Sequence, residues 1–199
     1  MIINLVAEGD MEIVVANRLI PFCGHEPGYI YGGRGCAYIR QKAAKFHHKP
    51  TRFSGVLVLT DFRDAKEDCV PAALQKYIYN SLPDPPDTFL CRFAVNELES
   101  WLMADREGLA KFMGIDVLRM PLQPEREEFP KKTLIKLAHS SRRKEIREGL
   151  APPPGHYAPV GPEYASLMKE FIFGCWDIGV AMRNAPSLER CVRRLCELK

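Results

Sequence analysis

Apolar residues gather in three short runs, and each run ends in carboxylates. Ile2-Ile3-Asn4-Leu5-Val6-Ala7 leads into Glu8-Gly9-Asp10, and Gly55-Val56-Leu57-Val58-Leu59-Thr60 leads into Asp61-Phe62-Arg63-Asp64. Thr88-Phe89-Leu90-Cys91-Arg92-Phe93-Ala94-Val95 leads into Asn96-Glu97-Leu98-Glu99. Runs of this length without polar alternation predict strands buried on both faces, as in a parallel sheet with a helix after each strand.

The intervening segments read as helices and loops. Asp10 predicts a cap for a helix carrying Ile13, Val14, Ala16, Leu19 and Ile20, with Pro21 as its stop. Residues 28–35 read as a glycine-rich turn, and 36–48 as a helix with Lys42, Lys45 and Lys49 on one face. A helix is expected over 71–80, then a proline-broken loop over 81–87. Asn96 is expected to cap a helix containing Glu97, Glu99, Trp101, Leu102 and Met103, and a second helix over 106–113 to close on Gly114. Beyond residue 116 the pattern turns to short helices over 131–138, 162–173, 177–182 and 187–198, the last with Ser187 as N-cap, and a Pro-Pro-Pro-Gly spacer interrupts them. Strand–helix units followed by helices predict an α/β fold: a Rossmann-like, mostly parallel sheet flanked by helices, with an α-helical C-terminal part. The expected division is an α/β core over 1–115 and a helical extension over 116–199 packing on it.

Ligands of open α/β sheets bind outside the carboxyl ends of the strands. Three acidic clusters would therefore meet along one sheet edge. Carboxylates held together repel unless a cation lies between them, and an all-oxygen set favours a hard ion, Mg²⁺ or Mn²⁺. Glu8 is the candidate ligand or general base after the first run, and Asp61 and Asp64 the pair after the second. Glu97 and Glu99 stand two apart, about 200° around a helix, so one is expected as a ligand and the other behind it.

Charge adds a polyanion to this picture. The net charge of +3 conceals segregation: no acidic residue occurs between Pro27 and Thr60, a stretch holding Arg34, Lys42, Lys45 and Lys49. A second basic segment over 131–147 contains Arg142, Arg143 and Lys144 against only Glu145. An acidic pocket flanked by basic segments suits an enzyme that holds metal and grips phosphate backbone.

Other chemistries find little support. The chain has no GKS or GKT, no GxSxG, and no HxxxH, HExxH or CxxC. Its seven cysteines read as reduced, mostly buried thiols of a cytoplasmic protein. No apolar run approaches the roughly 18 residues of a membrane span, and no secretory signal is evident at Met1.

Several motifs in order resemble the Toprim domain, the metal-binding catalytic domain of topoisomerases, primases and OLD-type nucleases. More narrowly, the chain resembles small stand-alone Toprim-like proteins related to RloB. The resemblance rests on Glu8-Gly9-Asp10, on Asp61-Phe62-Arg63-Asp64 followed by Cys69 and Pro71, and on the segment from Phe93 to Asp105. Lys131-Lys132-Thr133-Leu134 and Ala185-Pro186-Ser187-Leu188 extend it. It implies Mg²⁺ or Mn²⁺ held by Glu8 and Asp61 with support from Asp64 and Glu97 or Glu99. It also implies phosphodiester hydrolysis of nucleic acid, and a partner ATPase of the ABC or SMC kind encoded nearby in a prokaryotic defence system. Arg63 departs from the family's DxD pattern, in which an acid stands at that position. A catalytically silent subunit that binds an ATPase or nucleic acid is therefore the alternative, and a small-nucleotide phosphohydrolase a third reading. A homodimer is left open.

Overall fold

The computed structural model describes residues 1–32, 35, 37–39, 45–46, 53–153 and 155–199. Two compact units emerge: Met1–Val95 with Ser187–Lys199, and Asn96–Pro186. The change of sequence character near residue 116 falls inside the second unit, and the last helix belongs with the first.

The first unit is built on four parallel strands in the order β2-β1-β3-β4: β1 (Ile2–Ala7), β2 (Glu26–Gly32), β3 (Ser54–Asp61) and β4 (Phe89–Ala94). The central strands carry the unbroken apolar runs. Ile3, Leu5, Val6 and Ala7 of β1 and Val56 to Leu59 of β3 are all essentially without solvent contact. Helix α1 (Asp10–Phe22) packs on β1 and β3 through a stripe of Glu12, Val15, Ala16, Leu19 and Ile20, the spacing of a single helical face. Its N-cap is Gly9 rather than Asp10, because the Glu12 carboxylate turns back to accept the Gly9 N–H at 3.0 Å. Pro21 lies inside the last turn, and the helix ends just beyond it.

On the other side Val6, Val56 and Val58 join Phe89, Cys91 and Phe93 of β4 in one apolar cluster with Ala73, Tyr77 and Ile78. The last two belong to a wide π-helical turn (Gln75–Tyr79) that continues α2 (Val70–Leu74).

Strand β2 corrects the expected turn over 28–35. It lies at the sheet edge, so its outward residues stay wet and Tyr29 and Ile30 remain exposed. An edge strand needs no apolar run and tolerates Pro27. Gly28 fits because a Cβ there would fall 2.5 Å from Asn4 Oδ1, the atom that accepts the Tyr29 N–H across the register shift.

The cysteine reading is also corrected. Cys23, after α1, is disulfide-bonded to Cys196 at the end of the last helix, α9 (Pro186–Cys196). Nothing in their spacing announces the pair: it forms because α9 returns to α1, where His25 Nε2 also meets the Leu195 carbonyl at 2.8 Å. Cys91 and Cys191 are free and buried, Cys69 and Cys175 free and exposed, and Cys36 lies outside the described residues.

The second unit is helical, with α3 (Glu99–Met103), α4 (Arg106–Met113), α5 (Pro130–His139), α6 (Lys144–Leu150), α7 (Tyr164–Gly174) and α8 (Ile178–Asn184). Trp101, Leu102, Leu134, Ile146, Met168 and Phe171 form its interior. Trp101 is core, and Gly114 closes α4 at φ +66° as expected. Asn96 does not cap α3. It adopts φ +62° and its Nδ2 donates to the carbonyls of Glu125 and Glu127. Among the described residues no helix is long and apolar enough to cross a membrane.

Candidate functional site

The strand order reverses direction between β1 and β3, so the crevice of this sheet opens at their carboxyl ends. Glu8 follows β1 there, and Asp61 closes β3. The register pairs Ala7 with Leu59 and Asp61 with Ala94, which brings Glu8 beside Thr60 and Asp61. Gly32 at the end of β2 lies so close to the Ala7 carbonyl that no side chain fits, and its φ of +127° favours glycine. Past it, the Gly35 N–H donates to the Glu8 carbonyl at 3.1 Å. Backbone from both neighbouring strands therefore fixes the position of Glu8.

Its carboxylate is half-buried and crowded. Thr60 Oγ1 donates to Glu8 Oε2 at 2.6 Å, and the Asp61 N–H also donates to the carboxylate. Asp64 reaches it from a one-turn 3₁₀ helix (Arg63–Ala65) that doubles back after β3, anchored by the fully buried Ala65 and by the Phe62 N–H on the Ala94 carbonyl. The Glu8 pKa is raised above its ordinary value. Burial is the largest cause, opposed by the Thr60 bond and reinforced by the charge of Asp64, with which Glu8 also shares a hydrogen bond. Asp61 is 8% exposed, and Arg63 lies at the surface of the turn.

Glu97 and Glu99 belong to the second unit, where each has its own work. Glu97 Oε2 accepts the Lys131 N–H at 2.9 Å, capping the first turn of α5. Glu99 is 2% exposed, and its Oε1 takes the Tyr164 hydroxyl at 2.6 Å and the Lys131 ammonium at 3.3 Å. Its Oε2 is buried without a hydrogen-bond partner. Their spacing is reconciled because Glu97 precedes the helix and Glu99 opens it.

Of the basic residues, Arg34, Lys42 and Lys49 lie outside the described residues, and Lys45 is exposed. Arg142 and Lys144 are exposed on the second unit. Arg143 is structural: its guanidinium bonds the Phe112 carbonyl at 2.7 Å and Glu145 at 2.8 Å.

Thr60 was the contributor least visible in the sequence. Its only signal is a hydroxyl at the last position of an apolar strand, immediately before an acid. The two buried thiols, Cys91 and Cys191, are pushed up to about 12 by burial and are inert at neutral pH.

The donor set at Glu8, Asp61 and Asp64 is all oxygen. Two of its carboxylates share a hydrogen bond, an arrangement in which a hard cation can take the place of the proton. Among the described residues no group of three or more His, Cys, Asp or Glu is already gathered closely enough to cage a metal ion. Comparison with protein-family models, with curated proteins and with solved structures gives no match for this chain.

Proposed function

We propose that this protein is a divalent-metal-dependent hydrolase of nucleic-acid phosphodiesters, with Glu8, Asp61 and Asp64 as its acidic centre. The observation that carries the reading is the contact between the Glu8 and Asp64 carboxylates at the switch point of a parallel sheet, beside a nearly buried Asp61. Burying like charges together is costly in a structure that gains nothing from it. These three residues would hold Mg²⁺ or Mn²⁺. When bound, such an ion supplies Lewis-acid stabilisation of phosphate oxygens and of an attacking water. Thr60 and the Asp61 N–H both donate to the Glu8 carboxylate and hold it in place. Glu8 would serve either as a ligand of that ion or as the general base for the attacking water.

The motif resemblance to Toprim-like relatives of RloB supports the same reading and adds the ATPase partner. A second reading, the silent subunit, draws on Arg63 in place of the second acid and on the absence of a ready-made cage among the described residues. It expects nucleic-acid binding that ignores Mg²⁺.

Asp61→Asn separates the two. Cleavage of labelled DNA or RNA should fall by more than about a hundredfold, since even partners behind a ligand cost 10–100-fold. Calorimetric binding of Mn²⁺ should disappear while the melting curve remains cooperative. Cleavage that survives in this variant would sink the proposal.

A further inference from the structure

Within the first unit, two hollows open side by side along the free edge of the sheet, where β4 meets α9. One, of about 180 Å³, extends from Tyr79 and Asp87 to Arg92. The other, of about 220 Å³, extends from Arg92 to Ser187 and Arg190. They share Leu74, Cys91, Arg92 and Arg194, so they form one continuous groove.

Four arginines line it. Arg190, Arg193 and Arg194 stand at spacings of three and four, on one face of α9. Arg92 comes from the edge strand. One of its terminal nitrogens donates to the Cys91 carbonyl at 2.7 Å, while its Nε is buried without a hydrogen-bond partner. The acids nearby hold these cations weakly. Glu189 meets Arg193 at 3.3 Å and Glu197 meets Arg194 at 2.7 Å, both at the surface, where solvent weakens such pairs and they yield to a stronger anion. Asp87 is the acid at the far end, beside Tyr79.

We infer that this groove is a track for the phosphodiester backbone of a single nucleic-acid strand. Guanidinium forks match phosphate oxygens two at a time. Each hollow is smaller than the roughly 300–1,000 Å³ of a small-molecule site, yet the two run in series, which suits a chain of repeating charges better than one compact ligand. Tyr79 is 36% exposed beside Pro85 and Pro86 and offers a ring against which a base can stack, something an acidic peptide would not use. The inference rests on the proposed function and gives it a substrate-holding surface. Arg92 pairs in register with Leu59 of β3, so the groove follows the edge strand toward the end of the sheet that carries Asp61.

The test is fluorescence anisotropy of labelled oligothymidylate in chelator at rising salt, where hydrolysis plays no part. The Arg190→Gln/Arg194→Gln double variant changes side chains at the surface of α9, and a melting curve confirms its fold. It should bind about tenfold more weakly, with a log K against log salt slope shallower by about 1.4, two contacts at 0.7 each. Unchanged affinity and slope in the double variant would overturn the groove and leave the acidic centre standing. Polyglutamate competing as well as unlabelled oligothymidylate would also overturn it, in favour of an acidic peptide. Weakened binding in the double variant together with cleavage surviving in Asp61→Asn would keep the groove and discard the acidic centre.

Discussion

The buried carboxylates Asp105 and Glu99 of the helical unit and the half-buried Glu8 of the sheet unit keep different company. In the helical unit, Asp105 is 3% exposed, and both its oxygens are engaged: Oδ1 accepts the Gly108 N–H at 3.0 Å and Oδ2 the Asp177 N–H at 2.8 Å. Glu97 caps α5, and Glu99 has Lys131 and Tyr164. In the sheet unit, Glu8 meets Asp64, another acid, and its pKa rises as a result of burial and that charge. A carboxylate with N–H or ammonium partners stabilises the fold that surrounds it. A carboxylate pressed against its like is strained in the resting protein and gains when a cation arrives. The comparison separates structural acids from candidate functional ones by their partners rather than by their burial.

The comparison can be broken most directly at Asp105. Asp105→Ala removes the cap of α4 and leaves the Asp177 N–H without its acceptor. Unfolding in denaturant should show a loss of about 2–4 kcal/mol, the sum of a cap and a charge-assisted bond. A loss below about 0.5 kcal/mol would mean that engaged acids are not what holds this unit.

Metal should act on the other unit. At a concentration a hundredfold above its Kd, Mn²⁺ should stabilise the wild type by about 2.7 kcal/mol. Glu8→Gln and Asp61→Asn should lose that gain, while Glu99→Gln should retain most of it. Equal losses in all three would erase the distinction between the two sets.

The smallest effect sharpens the contrast through pH. The folded protein holds a proton on Glu8 more tightly than the unfolded chain does, starting from an ordinary value of 4.5. The metal-free protein is therefore relatively more stable at acid pH, and that contribution fades as pH rises through the folded pKa. Glu8→Gln keeps an acceptor for Thr60 and removes the charge. Its Tm in chelator should exceed that of the wild type by roughly 1–3 °C at pH 8 and converge with it near pH 4. A wild type more stable than the variant at pH 8 would show that the crowding is harmless.

Much of the sheet was legible in the sequence because β1, β3 and β4 are buried on both faces and leave long apolar runs. β3 extends from Ser54 to Asp61, slightly beyond the run that announces it, and β4 ends at Ala94. β2 was hidden by its edge position, and α6 by charge. Residues 144–150 read as part of a basic segment, although Ile146, Gly149 and Leu150 are buried. Caps were the least legible. Asp10, Asn96 and Ser187 each have the right chemistry, yet Glu12 serves Gly9, Asn96 bonds to distant carbonyls, and Ser187 lies inside the first turn of α9 with its hydroxyl accepting the Val95 N–H. A polar side chain finds its partner in three dimensions, and those partners lie far along the chain. The approach of Asp64 to Glu8 was readable because it needs only two adjacent parallel strands. The hydroxyl of Thr60, the Tyr164–Glu99 bond and the arginine groove all depend on packing that spacing does not encode.

The link between Cys23 and Cys196 closes the chain between them into a covalent ring. Its sequence separation is 173 residues, so the whole of Asn96–Pro186 lies on the ring. A protease that cuts a loop of the second unit opens the ring without dividing the molecule. The nicked protein would run as one species on a gel until a reductant is added, then as two. The helical unit can thus be cleaved or locally opened while the last helix stays covalently moored to the sheet that carries Glu8 and Asp61.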